Sequence, residues 1–247
     1  MIPPARVVPC LPRCTCVSAS LRSAQPGNRG RQGNLITMKA IRYCLVAVFL
    51  LWFGLAWSET PTILVVGDSL SAGYGIELSQ DWVSLLERRL VEEKLPYRVV
   101  NASISGDVSR GGLARLPAAL ERYRPTIVIL ELGGNDGLQG LPLQQLEENL
   151  AAMIELSRKS GAQVLLAGMR IPPNYGPRYT QKFHGIFENL ANRYDSPLIP
   201  FLLEGVGGRP ELMQSDGAHP RAEAQAKILE NVWVVLEPLL QGGKATQ

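Results

Sequence analysis

The chain has 247 residues with 25 Lys and Arg against 22 Asp and Glu, a formal charge of +3. That balance is uneven along the chain, because seven of the basic residues precede Glu59 and every acidic residue lies at or after it. Residues 59–247 carry 18 basic and 22 acidic side chains, a net −4. The basic character therefore sits in the first quarter, and nothing after it offers the basic patch with interleaved aromatics that nucleic-acid binding needs.

Residues 1–37 are rich in Arg, Pro, Ser and Gly and follow neither a strand nor a helix period. They read as a non-structural extension, consistent with a start site placed too far upstream. Met38, Lys39 and Arg42 then open a short basic stretch, and Cys44 to Trp57 is apolar over 14 residues. Ala56-Trp57-Ser58 closes it with small residues at both outer positions. A basic start, an apolar middle and a small-x-small end make 38–58 a secretory signal peptide. An uncleaved anchor is the competing reading, but a membrane-spanning helix needs about 20 apolar residues. All four cysteines (Cys10, Cys14, Cys16, Cys44) precede residue 59, so the mature part has no disulfide and no thiolate metal site. The 59–247 segment has the size of one domain.

Five short apolar runs follow: Thr62–Gly67, Tyr97–Ala102, Thr126–Leu132, Gln163–Ala167 and Pro197–Phe201. They lack polar alternation, as strands covered on both faces do. Helical stripes alternate with them: Trp82, Leu85, Leu86 and Leu90; then Leu113, Leu116 and Leu120; then Leu143, Leu146, Leu150 and Met153; then Tyr179, Phe183, Ile186 and Leu190; and last Ala222 to Leu236. Pro117 in the second stripe predicts a first turn or a kink. The alternation predicts a three-layer α/β/α sandwich on a five-stranded, mainly parallel sheet. In such sheets chemistry gathers at the carboxyl ends of the strands.

The first strand ends in Gly67-Asp68-Ser69-Leu70, placing Ser69 in a strand-to-helix turn with free backbone N–H groups. A helix-capping serine gives the same pattern. The spacing is not Gly-x-Ser-x-Gly, because Ser71 takes the last position. Gly106 follows the second strand and either admits a ligand to the backbone or makes a plain turn. Gly133-Gly134-Asn135-Asp136 follows the third, and an Asn amide can stabilise an oxyanion or form a turn. Near the C-terminus, Asp216 lies three residues before His219, near enough to fix its tautomer; His219 is expected to cap the last helix with Pro220 in its first position. His184 is the only other histidine and has no carboxylate at a useful spacing. Asp68 and Asp136 read as loop braces rather than acids.

These four blocks, in this order, resemble the SGNH (GDSL-type) hydrolases, and the likeness spans nearly all of residues 59–247. It is closest to the bacterial thioesterase, lysophospholipase and arylesterase branch, which Asn101 to Asp107 and Asn174-Tyr175-Gly176 also resemble. The resemblance implies a flavodoxin-like fold and a serine esterase without cofactor or metal. It implies Ser69 as nucleophile, His219 as base and Asp216 as its orienting partner. The oxyanion hole would combine the Ser69 and Gly106 N–H groups with the Asn135 amide. Leu138, Ile171 and Pro172 are expected to line an acyl or aryl site. The expected partner is a small ester or lipid substrate, with no nucleic acid, no lasting membrane anchor, a monomeric state and a periplasmic or secreted location.

Three rival readings stay open at this level. A carbohydrate acetylesterase of the same family and a silent periplasmic lipid- or glycan-binding module are the first two. A carboxylate-based metallohydrolase is the third, with few ligands available. Cleavage after Ser58 predicts a mature protein beginning at Glu59. Intact-mass measurement of the exported protein checks this, and a species retaining residues 38–58 refutes it.

Overall fold

The computed structural model describes residues 60–242; the extension and the signal-peptide segment, with all four cysteines, lie outside the described residues. Five strands form one sheet in the order β2-β1-β3-β4-β5: β1 Thr62–Gly67, β2 Arg98–Asn101, β3 Ile127–Glu131, β4 Gln163–Ala167 and β5 Leu198–Ile199. Every pairing is parallel. β1 and β3 are buried along their whole length, as central strands covered on two faces must be. β2 and β5 are shorter than the apolar runs predicted, because an edge strand loses its ladder partner on one side.

The helices are α1 Ser69–Ala72, α2 Trp82–Glu92, α3 Ser109–Tyr123, α4 Gly134–Leu138, α5 Leu143–Lys159, α6 Pro177–Arg193 and α7 Gln225–Gly242. α2 packs against α7 on one face of the sheet, and α3, α5 and α6 pack in a row on the other. The predicted stripes are the buried ones: Trp82, Leu86 and Leu90 on α2, Leu146, Leu150 and Met153 on α5, Phe183, Ile186 and Leu190 on α6. The three-layer sandwich expected from the alternation is present.

Two local expectations change. Pro117 is not in a first turn; it lies inside α3, which begins at Ser109, and of the two expected placements only an interior one is left. Burial of Leu116 and Leu120 on the sheet outweighs the one helical hydrogen bond that Pro117 forgoes. His219 does not cap α7, which begins six residues later behind a short 3-10 turn at Ala222–Ala224. Instead, Met213 and Pro220 form an antiparallel bridge, and the Gln214 N–H donates to His219 O at 2.7 Å. The strand order reverses direction across β1 and β3, so the loops after these two strands flank the crevice where ligands enter such sheets.

Candidate active site

The site grows from the β1–β3 ladder, whose last paired residues are Gly67 and Glu131. Beyond Gly67 the chain turns at once into α1. Asp68 caps that turn, its Oδ1 accepting the Leu70 N–H at 3.0 Å. Ser69 is thereby the first helical residue, with its side chain at the sheet edge. Glu131 reaches beneath the turn, and its Oε2 accepts the Asp68 N–H at 3.1 Å and the Ser71 hydroxyl at 2.5 Å. A Cβ on Gly67 would lie 2.3 Å from that oxygen, so only glycine admits the carboxyl there.

His219 arrives from the loop before α7. Its Nε2 stands 2.8 Å from Ser69 Oγ, and its Nδ1 stands 2.6 Å from Asp216 Oδ2. The second Asp216 oxygen accepts the backbone N–H groups of Ala218 and His219 at 2.9 and 3.0 Å. The dyad is thus closed within one tight turn. Those N–H bonds, with the imidazole, hold the Asp216 carboxyl down to about 2. A carboxylate only accepts, so Nδ1 carries the hydrogen and Nε2 offers its lone pair to the Ser69 hydroxyl. The Tyr74 ring lies 4.5 Å from the imidazole, and Gln214 Nε2 ties Tyr74 O to Pro220 O at 2.8 and 3.0 Å. These contacts clamp the histidine loop to the serine helix.

Gly106 turns with φ of +81°, a conformation that favours glycine. Among the described residues, neither the Ser69 N–H nor the Gly106 N–H has a protein acceptor. Asn135 lies on α4 with its Nδ2 bonded to Asp68 Oδ2 at 3.0 Å and to Asp107 O at 2.9 Å. Both amide hydrogens are therefore directed at groups beside the predicted hole. Asp136 points away and caps α3, accepting the Ser109 N–H at 2.8 Å and its hydroxyl at 2.5 Å. Both aspartates are loop braces, as the sequence suggested.

The predicted wall residues divide. Leu138 is exposed at the end of α4, and Pro172 is exposed after β4. Ile171 is buried, and a Cβ on Gly137 would meet it at 2.8 Å, so it supports α4 from behind. Tyr175 Oη donates to Leu138 O at 2.8 Å and joins the two segments. His184 is remote from this chemistry, with its Nδ1 facing Met169 O at 3.2 Å; contrary to expectation it does have a carboxylate in reach, because Glu188 one helical turn on lies 3.5 Å from its Nε2. Sequence reasoning missed Glu131, although it left a visible sign, a carboxyl inside the apolar run Ile127 to Leu132.

The crevice at the switch point of a parallel sheet, with serine, histidine and aspartate in line, defines the class as a serine hydrolase of the α/β/α sandwich type. Residues 65–227 match the GDSL-like lipase/acylhydrolase family, and the chain belongs to that family. Esterase TesA of Pseudomonas aeruginosa is 55% identical over 183 residues, 74% of this chain and 91% of that protein. Thioesterase 1/protease 1/lysophospholipase L1 of Escherichia coli K12 is 43% identical over 199 residues, 81% of this chain and 94% of that protein. A crystal structure of TesA superposes with a TM-score of 0.71 at 56% identity, covering 72% of this chain and 99% of that one. The chain is an ester-bond hydrolase with the five-stranded parallel fold of its relatives.

Glu131 is fully buried, and its Oε1 has no hydrogen-bond partner. Burial, then the Asp68 charge, pushes its pKa well above the ordinary carboxyl range. Burial also raises Asp68, to about 6, against its bonds to Leu70 and the attraction of His219. The pair therefore holds a proton that the unfolded chain releases near pH 4, at the ordinary carboxyl pKa. Below that pH the contribution to stability is complete, and it is lost as pH rises through the folded-state values. Urea midpoints should accordingly fall as pH rises from about 4 through about 6 and beyond, and fall less in Glu131→Gln, which keeps a neutral side chain. Equal slopes in the two proteins would refute a protonated Glu131.

Proposed function

We propose that the chain is a serine esterase for hydrophobic carboxylic esters and thioesters, with Ser69 as nucleophile, His219 as general base and Asp216 as its orienting partner. The line of bonds from Asp216 through His219 to Ser69 Oγ carries this reading. His219 Nε2 takes the hydroxyl proton as Ser69 Oγ attacks the acyl carbon. The carbonyl oxygen becomes an oxyanion received by the Ser69 and Gly106 N–H groups, which stand free for it. Asn135 joins them by exchanging the Asp68 carboxylate for the oxyanion, while its bond to Asp107 O keeps the amide aimed. The imidazolium, stabilised by Asp216, then protonates the leaving alcohol or thiol. Water repeats the sequence on the acyl-enzyme and frees the acid.

The surroundings favour an apolar acyl or aryl group. Tyr74, Ile104 and Leu138 are large apolar side chains, each 41–53% exposed, one on each of the loops that carry Ser69, Gly106 and Asn135. Leu138, Pro172 and, from behind, Ile171 form the proposed substrate wall. Among the described residues, Trp82 and Trp233 are both buried, so neither offers a platform for a sugar. The relatives' names, esterase and thioesterase/lysophospholipase, agree with acyl esters, lysophospholipids and acyl-CoA-like thioesters as the substrate class. The signal-peptide reading supports action in the periplasm or outside the cell, as a monomer. Among the described residues, no helix is long and apolar enough to cross a membrane.

The deciding experiment is hydrolysis of p-nitrophenyl esters of increasing acyl length by the mature protein beside Ser69→Ala. Activity should vanish in the variant, and equal rates in both would overturn the nucleophile assignment. Asn135→Ala should lower kcat by about a hundredfold to a thousandfold, the equivalent of ~2.7–4 kcal/mol of transition-state stabilisation, with the melting temperature little changed. A kcat close to wild type would remove Asn135 from the hole.

A further inference from the structure

One cation touches two of the three loops that would build the oxyanion hole, those of Ser69 and Gly106, and reaches the Asn135 loop through Asp107. Arg115 stands mid-way along α3, and its Nε donates to Asp107 Oδ2 at 2.8 Å. One terminal nitrogen donates to Gly67 O at 3.1 Å, and the other to Ala102 O. Gly67 O is the last carbonyl of β1, directly before the Ser69 turn. Ala102 O is the first carbonyl after β2, on the path to Gly106. Asp107 follows Gly106, and its own carbonyl holds the Asn135 amide at 2.9 Å. The Asp107 side chain folds back over the first turn of α3, where a Cβ on Gly111 would stand 1.9 Å from its Oδ1. Glycine at 111 thus opens the route by which the carboxylate reaches Arg115.

We propose that Arg115 is a positioning residue for the oxyanion hole, its planar fork setting the spacing between the Ser69 N–H and the Gly106 N–H. The inference rests on the reading of those groups as the hole. Three acceptors lie around one guanidinium, and a rigid fork with five donors satisfies them at fixed separations. A lysine ammonium is a point charge on a flexible stem and cannot hold all three at once. The ion pair with Asp107 leaves the cluster near neutral, so Arg115 acts through geometry rather than as a charge aimed at the substrate. Its side chain is 22% exposed and its Asp107 partner 13%, which shields the pair from water.

The test compares Arg115→Lys and Arg115→Ala with wild type and Ser69→Ala on one p-nitrophenyl ester. Two further readouts separate transition state from ground state: the rate of inactivation by a phosphonate ester, whose adduct is tetrahedral, and inhibition by the free fatty acid product. Arg115→Lys should lose about tenfold or more in kcat, with KM within about threefold. Phosphonylation should slow by a similar factor, and fatty-acid inhibition should stay unchanged. Guanidinium ion at low concentration should restore part of the Arg115→Ala rate and none of the Ser69→Ala rate. A kcat within about twofold of wild type in Arg115→Lys overturns the proposal, as does parallel loss of fatty-acid binding. A lysine variant that does not melt cooperatively assigns Arg115 to the fold alone, which also overturns it. If Ser69→Ala keeps the wild-type rate, the esterase reading itself fails; if it is inactive while Arg115→Lys is normal, only this inference fails.

Discussion

The parallel pairing of Gly67 with Glu131 is the contact on which the rest of the site depends. It ends the β1–β3 ladder and sets the serine turn beside the loop that carries Asn135. A parallel ladder leaves the groups beyond its last rung without partners, and a buried polar group without a partner is costly. Glu131 serves the Asp68 N–H and the Ser71 hydroxyl, and Arg115 serves Gly67 O and Ala102 O. Asp136 serves the N-terminus of α3. Each such bond closes the end of a strand or a helix, and each also fixes a segment of the site. Satisfying the sheet edge and building the active site are one operation here.

Environment divides the carboxyl groups into two kinds. Asp68, Glu131 and Asp136 are buried and bonded to backbone or hydroxyl donors, so they hold loops. Asp216 is exposed, bonded to two backbone N–H groups and the imidazole, and stays ionised to about 2. A buried carboxylate could not reorganise cheaply around a nearby imidazolium, whereas Asp216 is already charged and already bonded. The same residue type supplies structure where water is absent and electrostatic support where water is present.

The sheet, its parallel sense and most helices were legible because they follow from apolar periodicity, which is local. Ser69, Asp216 and His219 were legible because their blocks sit at strand ends and in one tight turn. Pro117 misled only as a first-turn marker, because propensity is a per-residue cost while Leu116 and Leu120 gain burial from a sheet that the periodicity does not weigh. The placement of His219 ahead of α7 misled because Pro220 is equally at home in a bridge with Met213. Glu131 and Arg115 stayed hidden for a different reason. Their meaning lies in partners 63 and 48 residues away, and no spacing rule carries that distance.

The proposed triad joins a local piece to a distant one. Asp216 and His219 are three residues apart, and their bonds close within one turn without help from the rest of the domain. Ser69 lies 150 residues from His219, and their contact exists only when β1 and the loop before α7 meet. That meeting is held by a few polar bonds, Gln214 to Tyr74 O and Pro220 O among them, and by the Tyr74 ring against the imidazole. The nucleophile side is the rigid one, anchored in fully buried β1 and braced from below by Glu131. The base side is a loop exposed at residues 215–218 and tied to the serine helix by those few contacts. An acyl-transfer cycle needs this asymmetry, because the oxyanion geometry must not move while the imidazole takes a proton from one oxygen and gives it to another.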